Sequence, residues 1–334
     1  MYWLPLLVNR LIWLVPTIFG LTTLIFVLSR VVPIDPAVLI AGENASLEQI
    51  QEVRSRFGLD EPLPSQFVRY LASIVRGDLG TSLYTQTPIL DELKARLPAT
   101  IELTAVSLAI AGAIGIPTGV ICGVHYNSWL DHVLRVVVVA SVGVTHFWLA
   151  IQLQIIFSMK LGWLPLAGRF EGTMPYPFTG LLVVDSFMAG DWRSLGSALQ
   201  HLGLPALTIG LPTAAIVQRF TRNSVISMMN SPSIAYQQAM GFSRRIIVWK
   251  YLLRSSLAAT VALFGLTAGI MLAGVVAVET VFDWPGMGNY AVRSIMYSDY
   301  NAVMGFTIFA GTVFAVLSVV VDLVQVMIDP RGAT

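Results

Sequence analysis

The chain has 334 residues, of which 55% are hydrophobic and 12% charged, and its mean hydropathy is +0.73. Soluble domains carry about 25% charged residues, so the composition excludes an ordinary soluble globular domain and points to a polytopic membrane protein. A net charge of +1 leaves no basic footprint for nucleic acid, and a single cysteine, Cys122, excludes an intrachain disulfide.

A bilayer crossing needs about 20 apolar residues, and six uncharged stretches reach that length: Leu11–Ser29, Leu103–Val124, Val136–Met159, Leu199–Gln218, Ser255–Val278 and Asn301–Val321. The first is followed by Arg30-Val31-Val32-Pro33 without a small-residue cleavage box, so it reads as a retained span rather than a signal peptide. Pro16, Pro117, Pro205 and Pro212 fall inside spans, where neighbouring helices satisfy the freed carbonyls. The fold class is therefore all-α. Residues 1–32 form the tail and first span, residues 33–98 a helical cap, and residues 99–334 a core of five spans that includes the polar loop 221–257.

In the cap, Ser46-Leu47-Glu48-Gln49 has the form of a capping box, and Ile50, Val53 and Phe57 continue an apolar face up to Gly58. Gln66–Val75 repeats the design and closes at Gly77. The segment 33–98 carries nine acidic and six basic residues, consistent with export. Glu102 heads the second span at a position that can reach an interface, and the loop His125–Arg135 is nearly neutral. Further on, the loop Lys160–Ala198 is rich in proline and aromatics (Trp163, Phe170, Tyr176, Phe178, Trp192), as expected at a headgroup boundary. Its apolar part, Pro177–Ala189, is too short to span and contains Asp185, so it packs at a surface.

The polar interlude Thr221–Leu257 is the most informative stretch. From Arg222 to Arg254 it carries Arg222, Arg244, Arg245, Lys250 and Arg254 and no acidic residue, which holds it in the cytoplasm together with both chain termini. Ser231-Pro232-Ser233 starts a helix, with Ser231 or Ser233 as N-cap, and the helix runs through Ser233, Ile234, Ala235, Tyr236, Gln237, Gln238, Ala239 and Met240. Gly241 ends it in the left-handed conformation. Such a stub is suited to a socket on another protein. Arg244 and Arg245 serve as topological anchors, or pair with partner acids or lipid phosphates.

After the fifth span, Trp284-Pro285-Gly286-Met287-Gly288 makes a tight reversal with Trp284 at the interface. It either lines an outer gate or only joins two spans. Glu279 reads as a cap or a rim salt bridge rather than a substrate contact. Glu279 and Asp322 border the fifth and sixth spans, and this scarcity of mid-membrane charge argues against an ion-coupled secondary transporter. No Gly-x-x-x-x-Gly-Lys-Ser/Thr and no His-Glu-x-x-His occurs, and His125, His132, His146 and His201 are scattered. The chain reads as a non-catalytic gate, without cofactor or metal of its own, driven from elsewhere.

In this order and spacing, several motifs resemble one family, the permease subunits of bacterial dipeptide, oligopeptide and nickel ABC importers, specifically the first ("B") permease. They are Pro33-Ile34-Asp35-Pro36, Phe57-Gly58-Leu59-Asp60-Glu61-Pro62, Arg76-Gly77-Asp78-Leu79-Gly80-Thr81-Ser82, Arg96-Leu97-Pro98-Ala99-Thr100-Ile101-Glu102-Leu103, Val278-Glu279-Thr280-Val281-Phe282-Asp283-Trp284-Pro285-Gly286-Met287-Gly288, Ser298-Asp299-Tyr300 and Asp329-Pro330-Arg331. The resemblance implies six spans of the type I importer kind in a bacterial inner membrane. It also implies a second permease, two ATPases that bind ATP and Mg, a periplasmic binding protein and a peptide substrate. The stub ending at Gly241 becomes the coupling helix. The family's Glu-Ala-Ala-type triplet falls here on Ala235, Tyr236 and Gln237, and Met240 stands where the family has Lys; that departure bears on which ATPase fits. Within the same family, nickel complexes, glutathione or a peptide antibiotic are alternative substrates.

Overall fold

The computed structural model describes residues 3–31, 38, 45–56, 60–172, 178–253, 263–264, 267, 271 and 274–328. Among them the regular structure is helical, apart from one isolated bridge between Thr81 and Pro88. Helix α1 spans Trp3–Val31, α2 Leu47–Arg56, α3 Leu63–Val75, α4 Ile89–Val124 and α5 Trp129–Gly143. Helix α6 covers His146–Leu153 and continues as a π-helical turn, Gln154–Lys160. Then come α7 (Leu182–Met188), α8 (Trp192–Met229) and α9 (Pro232–Ala239). The short α10 (Arg244–Ile246) runs into a π-helical turn, Ile247–Leu252, and α11 (Met287–Met296) and α12 (Tyr300–Ile328) follow.

Among the described residues three helices are long and apolar enough to cross a bilayer: Ile89–Val124, Trp192–Met229 and Tyr300–Val320. Helix α1 carries the shorter apolar stretch Ile12–Leu28. The expected third span is not one straight helix, because Trp129–Ser141 and His146–Lys160 meet at 103°. Val144 and Thr145 are extended at the break (φ −87°, ψ 127° and φ −69°, ψ 141°), a conformation that β-branched residues favour. Most of the expected fifth span, Ser255–Val278, lies outside the described residues, as do Phe57-Gly58 and Asp329-Pro330-Arg331.

The chain divides into two compact units. One comprises residues 1–6, 97–289 and 317–334. Its core gathers Leu103, Leu202, Leu204, Ile209, Val275, Val278, Phe282 and Trp284. Helices α4 and α8 approach closely along Gly115, Gly119 and Gly123. A Cβ there would lie 2.6 Å from the Ala214 carbonyl oxygen, 2.7 Å from Thr221 Cβ and 2.6 Å from Val225 Cγ1, respectively. Contacts advance in the same direction along both chains, so the two helices run parallel. Small residues four apart permit this approach where lipid supplies no hydrophobic drive.

The second unit comprises residues 7–96 and 290–316. Here α1 packs on α3 through Phe26 against Phe67 and Tyr70, with ring centroids 5.1 and 5.8 Å apart. The expected capping box opens α2: Ser46 N–H donates to Gln49 Oε1 (2.8 Å) and Gln49 N–H to Ser46 Oγ (3.2 Å). Helix α3 begins at Leu63, earlier than the expected Gln66, because Pro64 suits a first turn. It closes at Gly77, whose φ is +77°. The turns at 82–84 and 297–299 are tied by buried Asp299, which accepts from Ser82 Oγ (2.5 Å), Tyr84 N–H (3.2 Å) and Ala302 N–H (3.0 Å).

Candidate functional site

Helix α8 ends at Met229, and two residues later the chain enters α9. Ser231 takes the N-cap position and Pro232 the first helical position, where a missing N–H costs nothing. At the other end Met240 is the C-cap and Gly241 adopts φ +78°. Gly241 N–H donates to Gln238 O (3.0 Å) and Phe242 N–H to Gln237 O (3.2 Å). This pair of bonds is the Schellman closure, which satisfies the last carbonyls only if the residue at Gly241 is left-handed.

One residue of α9 is buried: Ile234, which packs with Ile247 and Leu252 and against Met228, Met229, Val248 and Tyr251. The stub therefore rests on the last turn of α8 and on the π-helical turn after it. Gln237 is half-buried, whereas Ser233, Ala235, Gln238, Ala239, Gly241, Arg244 and Arg245 are exposed. Tyr236 and Met240 are 66% and 61% exposed, beside exposed Phe242 and Ile246. Among the described residues Arg244 and Arg245 have no acidic partner, and Arg244 Nη2 lies 3.5 Å from the Val124 carbonyl. Large uncovered side chains with unneutralised cations beside them form a surface fit for a protein partner.

The turn after the fifth span is built differently from the sequence expectation. Trp284 is not at an interface: it is 1% exposed, sits in the core cluster, and donates from Nε1 to the Ala99 carbonyl (3.0 Å). The ring is buried because the reversal folds back onto α4 at Ala99, whose carbonyl satisfies its single polar atom. Glu279 is fully buried and accepts from Thr100 Oγ1 (2.7 Å), Gly288 N–H (2.7 Å) and Asn289 N–H (3.1 Å). Its carboxylate thus covers the N-terminus of α11, in line with the capping expectation and not with a rim salt bridge. Gly286 and Gly288 are there for space, since a Cβ would lie 2.0 Å from Glu279 Oε1 and 2.6 Å from Val276 Cα, respectively. Pro285 alone of the five candidates Glu279, Trp284, Pro285, Gly286 and Gly288 is exposed.

Two buried ion pairs join residues far apart in the sequence. Glu102 does not reach an interface: Arg169 donates to its Oε2 from Nε (3.1 Å) and Nη2 (2.5 Å), and Val183 N–H to its Oε1 (2.6 Å). Arg169 Nη2 also reaches the Gly180 carbonyl (2.9 Å), pinning the 160–198 loop to α4. Asp131 pairs with Arg222. Within the same loop Asp185 is buried rather than interfacial. Burial works against its charge, but donation from the Thr179 hydroxyl and the Thr179 and Gly180 N–H groups wins, holding the carboxyl below the usual range. His125, His132 and His201 each hydrogen-bond through Nδ1 to the carbonyl four residues back, and His146 packs on Gly274.

Residues 115–333 match the family described as "Binding-protein-dependent transport system inner membrane component", and residues 3–104 match the corresponding N-terminal membrane component. The "Probable D,D-dipeptide transport system permease protein DdpB" of Escherichia coli K12 is 38% identical over 95% of this chain and 94% of its own length. The "Dipeptide transport system permease protein DppB" of Alkalihalophilus pseudofirmus is 36% identical over 97% of both chains. The "Glutathione transport system permease protein GsiC" of Escherichia coli O6:H1 is 34% identical over 97% of both. Among solved structures, an inward-facing MetNI methionine ABC transporter shares the fold, with a TM-score of 0.51 and 19% identity over 71% of this chain and 93% of that one.

Proposed function

Because the chain belongs to the binding-protein-dependent transport system inner membrane components, we propose that it is one of two permeases in an ATP-driven importer of short peptides. The observation that carries the substrate class is the match, along nearly the whole chain, to relatives named for dipeptide transport. What carries the mechanism is α9, a short helix anchored by Ile234 and otherwise displayed to a partner.

Two ATPases hold ATP and Mg, and one of them grips Ser233–Met240 with the exposed Tyr236 and Met240 as the contact. The basic run from Arg222 to Arg254 keeps this face and both termini in the cytoplasm of a bacterial cell, and a periplasmic binding protein delivers peptide to the opposite face. ATPase closure shifts the spans between two arrangements, and the permease carries no catalytic group. The packed turn 279–288 lies toward the periplasmic end. Its buried network gives the outer gate a rigid floor, with Pro285 as its exposed point.

The test is uptake by proteoliposomes that hold the co-purified complex, supplied with its binding protein and a labelled dipeptide. ATP-dependent accumulation supports the reading, and glutathione in the same assay separates the substrate classes. Accumulation that follows the membrane potential and ignores ATP contradicts it.

A further inference from the structure

Asp131, in the first turn of α5, and Arg222, two turns before the end of α8, meet inside the protein with 0% and 9% exposure. Arg222 Nε donates to Oδ1 (2.6 Å) and Nη2 to Oδ2 (2.8 Å), the fork-on-fork geometry that fixes orientation as well as distance. Each partner is held in turn. Asn127 N–H donates to Asp131 Oδ2 (3.1 Å), Arg135 Nη2 lies 3.7 Å from the same oxygen, and the Tyr126 ring lies 5.3 Å from the guanidinium. Around Arg222 helix α8 lies close on α4: a Cβ added at Gly119 would meet Thr221, and one added at Gly123 would meet Val225 and the Arg222 carbonyl.

Arg222 thus stands where a load entering through α9 leaves the stub. Ile234 rests on Met228 and Met229 of the last turn of α8, so movement of α9 reaches Arg222 through continuous helix. Beyond the pair, α5 leads to the 103° bend of the third span. Apolar packing would hold two helices together at less desolvation cost, but it would not supply a link of fixed length and direction.

We infer that Asp131 and Arg222 are positioning residues for transport, a strut that carries movement of the coupling helix into the bent third span. The inference rests on the transporter reading above, and it assigns these residues to energy coupling rather than to substrate or nucleotide contact.

The experiment measures peptides moved per ATP hydrolysed by the full complex in proteoliposomes with its binding protein. The variants are Asp131→Asn, Arg222→Lys and the exchange Asp131→Arg with Arg222→Asp. The strut predicts a ratio about tenfold lower in the single variants, within the range by which mutations along a coupling network act, and partial recovery in the exchange. A clamp for folding alone would lower complex yield and both rates together and leave the ratio unchanged. An unchanged ratio in Asp131→Asn and Arg222→Lys overturns the inference, as does failure of both to assemble. Absence of ATP-linked uptake by the unaltered complex would instead overturn the transporter reading itself.

Discussion

Gly241 is the residue at which α9 ends, with φ +78°. A Cβ there would meet nothing within 4 Å, so any cost of substitution comes from φ +78° and not from crowding. A left-handed conformation costs an ordinary residue about 1–2 kcal/mol, and more for a β-branched one. Gly241→Val is therefore expected to lose ATPase co-purification and peptide uptake while still inserting in the membrane, whereas Gly241→Asn, which tolerates the conformation, keeps both. Glu279 shows the opposite dependence on contacts. Three donors converge on its carboxylate, and an amide in its place would turn an NH₂ toward at least one of them. Leaving a buried donor unmatched costs about 1–3 kcal/mol, so Glu279→Gln should lower the thermal unfolding midpoint of the detergent-solubilised protein.

Elements whose signals are local were legible in the sequence. Ser46 and Gln49 name a capping box by spacing alone, and the bonds are there. Pro232 and Gly241 bracket α9, and the helix runs between them. Signals that join distant parts were not legible. Arg222 lies 91 residues from Asp131 and Arg169 lies 67 from Glu102. The expectation that Glu102 reaches an interface fails for this reason, since Arg169 is its partner inside the protein. Trp284, expected at an interface from its place after a span, is held instead by a carbonyl 185 residues away. The break after α5 has no proline to mark it. The repeat Gly115, Gly119 and Gly123 faces α8, as small residues four apart do, but it emerges as a helix contact only in the structure. Gly119→Val should accordingly separate α4 from α8, with a loss of about 1–3 kcal/mol from overpacking, read as reduced thermal stability of the purified permease.

At the scale of the whole molecule, only 12% of the residues are charged, and the segment from Arg222 to Arg254 carries five basic residues and no acidic one. The chain has no Gly-x-x-x-x-Gly-Lys-Ser/Thr motif, and in the proposed mechanism energy enters through the contact of α9 with a partner. Arg222 ties that contact to the third span, Ile234 ties it to the π-helical turn leading toward the fifth, and the packed 279–288 turn stabilises the far end of the fifth.

The most direct measurement places a photo-crosslinking amino acid at Tyr236, exposed on α9, in cells that make the complete complex. The account predicts a crosslink to a nucleotide-hydrolysing subunit on the cytoplasmic side. Labelling of that position from the periplasm by a membrane-impermeant reagent, or an active complex in which it crosslinks to no ATPase, would contradict it.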